Sequence, residues 1–160
     1  MSEIKMCDYY YGAVLSNLFN HNVAPALIEN GDKRRVFSFT TNNTEFTLFV
    51  KYSSKAVTNN VNNGFRSWKF VLTDDYQKIS EYLSNNSNVL LALVCATEEL
   101  KGSELALLDS SELRQLIATS KSSINISRRK NERYYTIAVD KNRTDNCIKI
   151  KANKLDDMLQ

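Results

Sequence analysis

Few residues in this chain could do covalent or metal chemistry, and their spacing limits what that chemistry could be. There are three cysteines, Cys7, Cys95 and Cys147, and a single histidine, His21. A thiol nucleophile needs an adjacent base or positive charge to become a thiolate, and Cys95 with His21 is the pair that could be drawn. Cys95, however, sits inside the apolar run Val89–Ala96, where a free thiol behaves as a small buried hydrophobe. His21 sits in the polar stretch Asn20-His21-Asn22. No CxxC pair is present, so a structural zinc site is not expected. Gly12, Gly31, Gly64 and Gly102 are scattered and form neither GxGxxG nor GxxxxGK[ST], which excludes the two standard phosphate cradles. The expectation is therefore no catalytic residue, no metal and no cofactor.

What remains is positive charge. The net charge is +3, but it is unevenly spread. From Lys121 to Lys154 there are ten basic residues: Lys121, Arg128, Arg129, Lys130, Arg133, Lys141, Arg143, Lys149, Lys151 and Lys154. The acids there are three, Glu132, Asp140 and Asp145. That stretch is thus +7, which leaves −4 for the rest of the chain. Such segregation points to a surface for phosphates or for an acidic protein.

The elements that must carry these residues follow from periodicity. At 160 residues with 42% hydrophobic and 24% charged residues, one compact domain with a conventional core is expected. Tyr11, Leu15 and Leu18 repeat at helical spacing and predict a helix over Tyr9–Phe19. Ala26–Ile28, Val36–Phe39 and Phe46–Tyr52 read as strands separated by Asn30-Gly31-Asp32 and Asn42-Asn43-Thr44. The chain holds eighteen Asn and one Pro, so Asn is expected to make the turns. In the third strand both alternating sets are largely apolar, which predicts burial on both faces. Residues 53–64 read as an Asn-rich mobile loop. Ser67–Leu72 follows as a strand, then a helix opened by Asp74 and Gln77 as a capping box. Val89–Ala96 is expected to be a buried strand and Leu105–Leu108 another. Asp109 and Glu112 are spaced to cap a helix over Ser110–Ile117. Ser123–Arg128, Tyr134–Val139 and Cys147–Lys151 read as a basic β-meander over residues 121–154, and Asn153 as the start of a last short helix. Most connections are too short for crossovers, so the fold class is α+β, with three to four helices and a mixed, mainly antiparallel sheet.

Alternation sharpens the charge map. With Ile124, Ile126, Tyr135, Ile137, Ile148 and Ile150 facing the core, the residues between them face outward. The expected partner-binding set is then Arg128, Arg129, Lys130, Arg133, Tyr134, Arg143, Lys149 and Lys151. No apolar run approaches the ~20 residues of a membrane helix. No apolar signal core follows Met1-Ser2-Glu3-Ile4-Lys5, so a reduced, cytoplasmic setting without disulfides is expected.

Two resemblances add to this reading. A helix followed by three strands, the third ending in Phe49-Val50-Lys51, resembles the core of restriction-endonuclease-like proteins over roughly residues 9–52. Their signature places an acid, then any residue, then lysine at this point, so that carboxylates bind magnesium beside the lysine. Here Phe49 stands where the acid would be, and a phenyl ring cannot ligate a metal. The motif is degenerate, and an active metal nuclease is not expected. The segments Phe49–Ser53, Trp68-Lys69-Phe70 and Leu91–Cys95 are also similar to those of small uncharacterised proteins of Gram-positive bacteria and their mobile elements. That resemblance implies a non-enzymatic interaction protein of a phage or mobile element. Its partner would be a host protein, such as a defence nuclease of the CRISPR type that it inhibits. The alternative is a nucleic-acid-binding protein with a degenerate nuclease-like core.

Overall fold

Asparagine makes the first tight hairpin. Asn42 and Asn43 both take positive φ, 53° and 62°, the pair of left-handed residues that a two-residue primed turn requires. They join β2 (Arg35–Thr41) to β3 (Thr44–Ser53), which pair antiparallel from Thr41↔Thr44 to Arg35↔Val50. The computed structural model describes residues 2–85, 88–98, 101–138 and 147–160. Before this hairpin come α1 (Met6–Asn20) and β1 (Ala26–Glu29). After it come β4 (Thr58–Asn60), β5 (Phe65–Val71), α2 (Tyr76–Asn85), β6 (Val89–Cys95), β7 (Glu104–Leu108) and α3 (Ser110–Ala118). The chain ends with β8 (Ser123–Arg128), β9 (Tyr134–Ala138), β10 (Cys147–Lys151) and α4 (Lys154–Leu159).

The α+β class holds, and the strands divide into two five-stranded sheets. The first has the order β1-β2-β3-β6-β7 and the second β10-β9-β8-β5-β4. The second is antiparallel throughout. In the first, β3 and β6 are parallel, from Thr47↔Val89 to Ser53↔Cys95. The connection between them runs through β4, β5 and α2. It therefore has the length that a parallel crossover needs, which a reading based on short loops did not anticipate. Residues 53–64 hold the short edge strand β4, paired Thr58↔Ser67 to Asn60↔Phe65.

The first sheet is the central layer. Every residue of β6 is buried. On one face Phe37, Leu48, Val50 and Leu90 pack with Tyr10, Tyr11, Val14 and Leu18 of α1 and with Leu155 and Leu159 of α4. On the other, Phe49, Leu91 and Leu93 meet Trp68, Phe70, Ile124, Ile126 and Ile137 of the second sheet, with Ile79 of α2 and Leu113 of α3. Trp68 is fully buried and its indole N–H donates to the Ala96 carbonyl at 2.8 Å, tying the sheets together. Asp109 accepts from the Glu112 backbone N–H at 3.0 Å and Glu112 accepts from that of Asp109, the expected capping box of α3. The second helix begins at Tyr76, and the Asp75 carboxylate just before it bonds to Lys51 and Arg34.

The turns of the second sheet brace each other. Gly64 has φ +69°, and a Cβ there would come within 2.7 Å of the Lys130 Cβ. Its carbonyl accepts from the Lys130 N–H at 3.0 Å. Glycine is needed here because the β4–β5 turn touches the β8–β9 turn.

Candidate functional site

Alternation places one face of the second sheet toward the core and the other outward. Ile124, Ile126, Tyr135, Ile137, Ile148 and Ile150 are all buried, as the sequence pattern predicts. The opposite positions form rows across the strands. Ser67 pairs with Ser127, Ser127 with Thr136, and Thr136 with Lys149. Lys69 lies opposite Asn125 and Tyr134 opposite Lys151. Lys69, Asn125, Lys149 and Lys151 are exposed, and Tyr134 is 48% exposed. None of the five strands contains an aspartate or glutamate. The face therefore offers ammonium groups, the Asn125 amide, the Tyr134 ring and the exposed Val71, with Phe65 half-buried and Ser67 and Ser127 buried within it.

The structure sorts the expected basic residues into used and unused charges. Arg128 is a correction. It continues the inward parity of Ile124 and Ile126, and its guanidinium bonds to Glu104 of β7 at 2.5 Å and to the Glu132 carbonyl at 2.8 Å. Arg66, its register partner on β5, takes the other Glu104 oxygen and lies 5.0 Å over the Trp68 ring. Tyr135 donates to Glu104 at 3.2 Å, and burial, then the Glu104 charge, pushes its phenol pKa up. Arg128 thus closes the rim of the core and does not belong to the outer face. Lys154 is held by Asp109 and Glu112. Lys151 meets Asp157 at 2.7 Å, which raises its pKa. Arg129, Lys130 and Arg133 lie exposed around the β8–β9 turn, where the Glu132 carboxylate accepts from the Arg129 backbone N–H at 2.6 Å. Among the described residues no carboxylate lies within ion-pair distance of Arg129, Lys130, Arg133 or Lys149. Arg143 lies outside the described residues.

A second polar centre surrounds Lys51. Phe49 is fully buried, edge-on to Tyr82 of α2 with ring centroids 5.5 Å apart. Two residues on, the Lys51 ammonium bonds to the Asp75 carboxylate at 2.5 Å and to the Val71 carbonyl at 2.7 Å. Arg34 bonds the other Asp75 oxygen at 2.6 Å and Glu29 at 2.7 Å. Asp75 is buried. The cluster lines an open cleft of about 890 Å³ bordered by Asp32, Lys33, Lys69 and Asp74. Sequence reasoning singled out Lys51 but missed Arg34 and Asp75. The capping-box reading falls on its neighbour Asp74, whereas it is the Asp75 carboxylate that is buried and bonded.

Cys95 and His21 are not brought together. Cys95 is buried in the core between the sheets, and burial pushes its thiol pKa well up. His21 ends α1 on the other side of the first sheet, with Nδ1 2.9 Å from the Asn17 carbonyl and Nε2 3.7 Å from Asp156. Among the described residues no helix is long and apolar enough to cross a membrane. No family model, curated protein or solved structure matches this chain.

Proposed function

We propose that this is a non-enzymatic interaction protein whose working surface is the outer face and adjoining β8–β9 turn of the second sheet. It docks there on an acidic surface. In the reading implied by the mobile-element resemblance, that surface belongs to a host factor, either a protein such as a defence nuclease or the nucleic acid such a factor handles. One observation carries the proposal: five strands without an acid, beside the exposed cations Lys69, Arg129, Lys130, Arg133 and Lys149, which have no ion-pair partner among the described residues. Charge arranged this way accelerates encounter and fades with salt, over a Debye length of about 8 Å at physiological ionic strength. Catalysis is not part of the reading, because Lys51 and Arg34 are already bonded to carboxylates and Phe49 occupies the degenerate motif.

The test is the variant Arg129→Glu, Lys130→Glu, Arg133→Glu, assayed for partner capture from host lysate with and without nuclease treatment. Loss of capture of more than about tenfold, with an unchanged circular dichroism spectrum, is expected from three desolvated charge contacts. Full retention of capture would move the interface elsewhere. Magnesium-dependent cleavage of DNA or RNA that Lys51→Ala abolishes would overturn the non-enzymatic half.

A further inference from the structure

We propose that the occupant of this basic face is a single-stranded nucleic acid, stacked on Tyr134 and held through its phosphates by Arg129, Arg133 and Lys149. The inference rests on the docking surface proposed above and names what fills it. Tyr134 is presented rigidly. Its strand is paired with β10 through Tyr134↔Lys151, and the preceding Arg133 carbonyl accepts from the Ala152 N–H at 2.8 Å. Tyr134 is nonetheless 48% exposed, although its neighbour Tyr135 is 1% exposed. An aromatic ring held open on a strand and flanked by cations is the combination single strands use, with bases on the ring and backbone in the positive field.

The composition of the face decides between occupants. Protein interfaces are depleted in lysine and in charge at their centres, whereas nucleic-acid interfaces are far more positively charged. Here the strand residues with formal charge are all Lys or Arg. Duplex DNA is read by a helix or a two-stranded ribbon placed in its major groove. This face is five strands wide, roughly 19 Å across at the usual strand spacing, and fits an extended chain better than a groove. Ser67 and Ser127, on the row that leads through Thr136 to Lys149, are buried, so a bound strand meets the cations and Tyr134 and not the serine hydroxyls.

Fluorescence anisotropy of the full chain with labelled oligothymidylate, a duplex of equal length and polyglutamate tests this. Oligothymidylate should bind most tightly. Tyr134→Ala should weaken it roughly 5- to 150-fold at every salt concentration, the range that loss of one stacked base gives, while Tyr134→Phe retains affinity. Lys149→Gln should instead lower the slope of log affinity against log salt by about 0.7, one phosphate's share for a single strand. Equal affinity of Tyr134→Ala and wild type, or tighter binding of the duplex, would overturn the stacked single strand. Preference for polyglutamate would also overturn it and leave the basic face as a protein-docking surface. If none of the three binds and the triple Glu variant still captures its partner, both the occupant and the docking surface are wrong.

Discussion

The two sheets have the same number of strands but handle charge differently. The strands of the first carry both signs: Glu29, Arg35, Glu45, Lys51 and Glu104. Those of the second carry Arg66, Lys69, Arg128, Lys149 and Lys151 and no acid. The first sheet is covered on both faces, so a charge buried on it must be paired: Lys51 and Arg35 are bonded to Asp75 and Asp8, whereas Glu45 near the start of β3 is exposed. The second sheet is covered on one face only. Its inward cations, Arg66 and Arg128, converge on Glu104, whereas outward Lys69 and Lys149 have no partner carboxylate among the described residues. Burial therefore determines which charges are neutralised, and the remainder mark the surface left for a partner. A count of Lys and Arg along the sequence overstates that surface, because Arg128 and Lys154 lie within the basic stretch yet are occupied internally.

Removing a buried anion should break the comparison hardest at Asp75. Its carboxylate is the shared partner of Lys51 and Arg34, whose side chains are 13% and 17% exposed, while its own is 4% exposed. Asp75→Ala leaves two poorly hydrated cations facing each other. The expected loss is about 3–5 kcal/mol, the usual cost of breaking a buried pair from one side, read as a lower urea midpoint with unchanged slope. A loss under about 1 kcal/mol would show that water reaches Lys51 and Arg34 through the cleft.

Glu104 is the counterpart at the rim of the second sheet. Glu104→Gln keeps the shape and a carbonyl acceptor for Arg66, Arg128 and Tyr135, but removes the charge. Its side chain is 19% exposed, more than that of Asp75, so solvent screens part of the effect. About 1–3 kcal/mol is expected, in line with hydrogen bonds to charged groups. An effect larger than that of Asp75→Ala would reverse the ranking by burial.

Much of this architecture could be read from residue patterns. Ser123–Arg128 and Cys147–Lys151 are strands with the bounds the alternation predicts, because apolar and polar residues alternate over Ser123–Ser127 and Ile148–Lys151. Burial of Thr47 through Val50 on both faces followed from two apolar sets in one strand. The division into two sheets was not legible, because local pattern says nothing about which strands pair. Only the long-range register Lys51↔Leu93 against Lys69↔Asn125 shows the split. Arg128 was misplaced because its position as the last residue of a strand read as part of the turn, although its parity with Ile126 already pointed inward. Asp75 was missed because its partners lie 24 and 41 residues away.

A smaller effect concerns acid. Burial alone would raise the Asp109 pKa, but Lys154 and the Glu112 backbone N–H outweigh it and hold the carboxyl below its usual range. A depressed folded-state pKa gives stability that is present above the unfolded value, about 3.9, and lost as pH falls through the folded one. The thermal midpoint of the protein should thus fall below about pH 4. In Asp109→Asn, which can still cap α3, the fall should be shallower. Identical acid slopes for the two proteins would show that Lys154 is not coupled to Asp109 in solution.

The smallest effect on stability is expected where the largest effect on binding lies. Arg129, Lys130 and Arg133 are exposed and make no ion pair among the described residues. Replacing them with Glu sacrifices no buried contact, although it sets three new carboxylates beside Glu132 on an exposed turn where solvent screens them. The stability of that triple variant should stay within about ±0.5 kcal/mol, typical of surface changes, with any shift a slight fall from the added carboxylates. The Lys130 backbone still donates to Gly64, so the two turns should remain docked whatever the side chain. A loss above about 2 kcal/mol would mean that these cations take part in packing the turn. They would then resemble the occupied cations of the first sheet, and the contrast between the two sheets would fail at the surface on which the functional proposal depends.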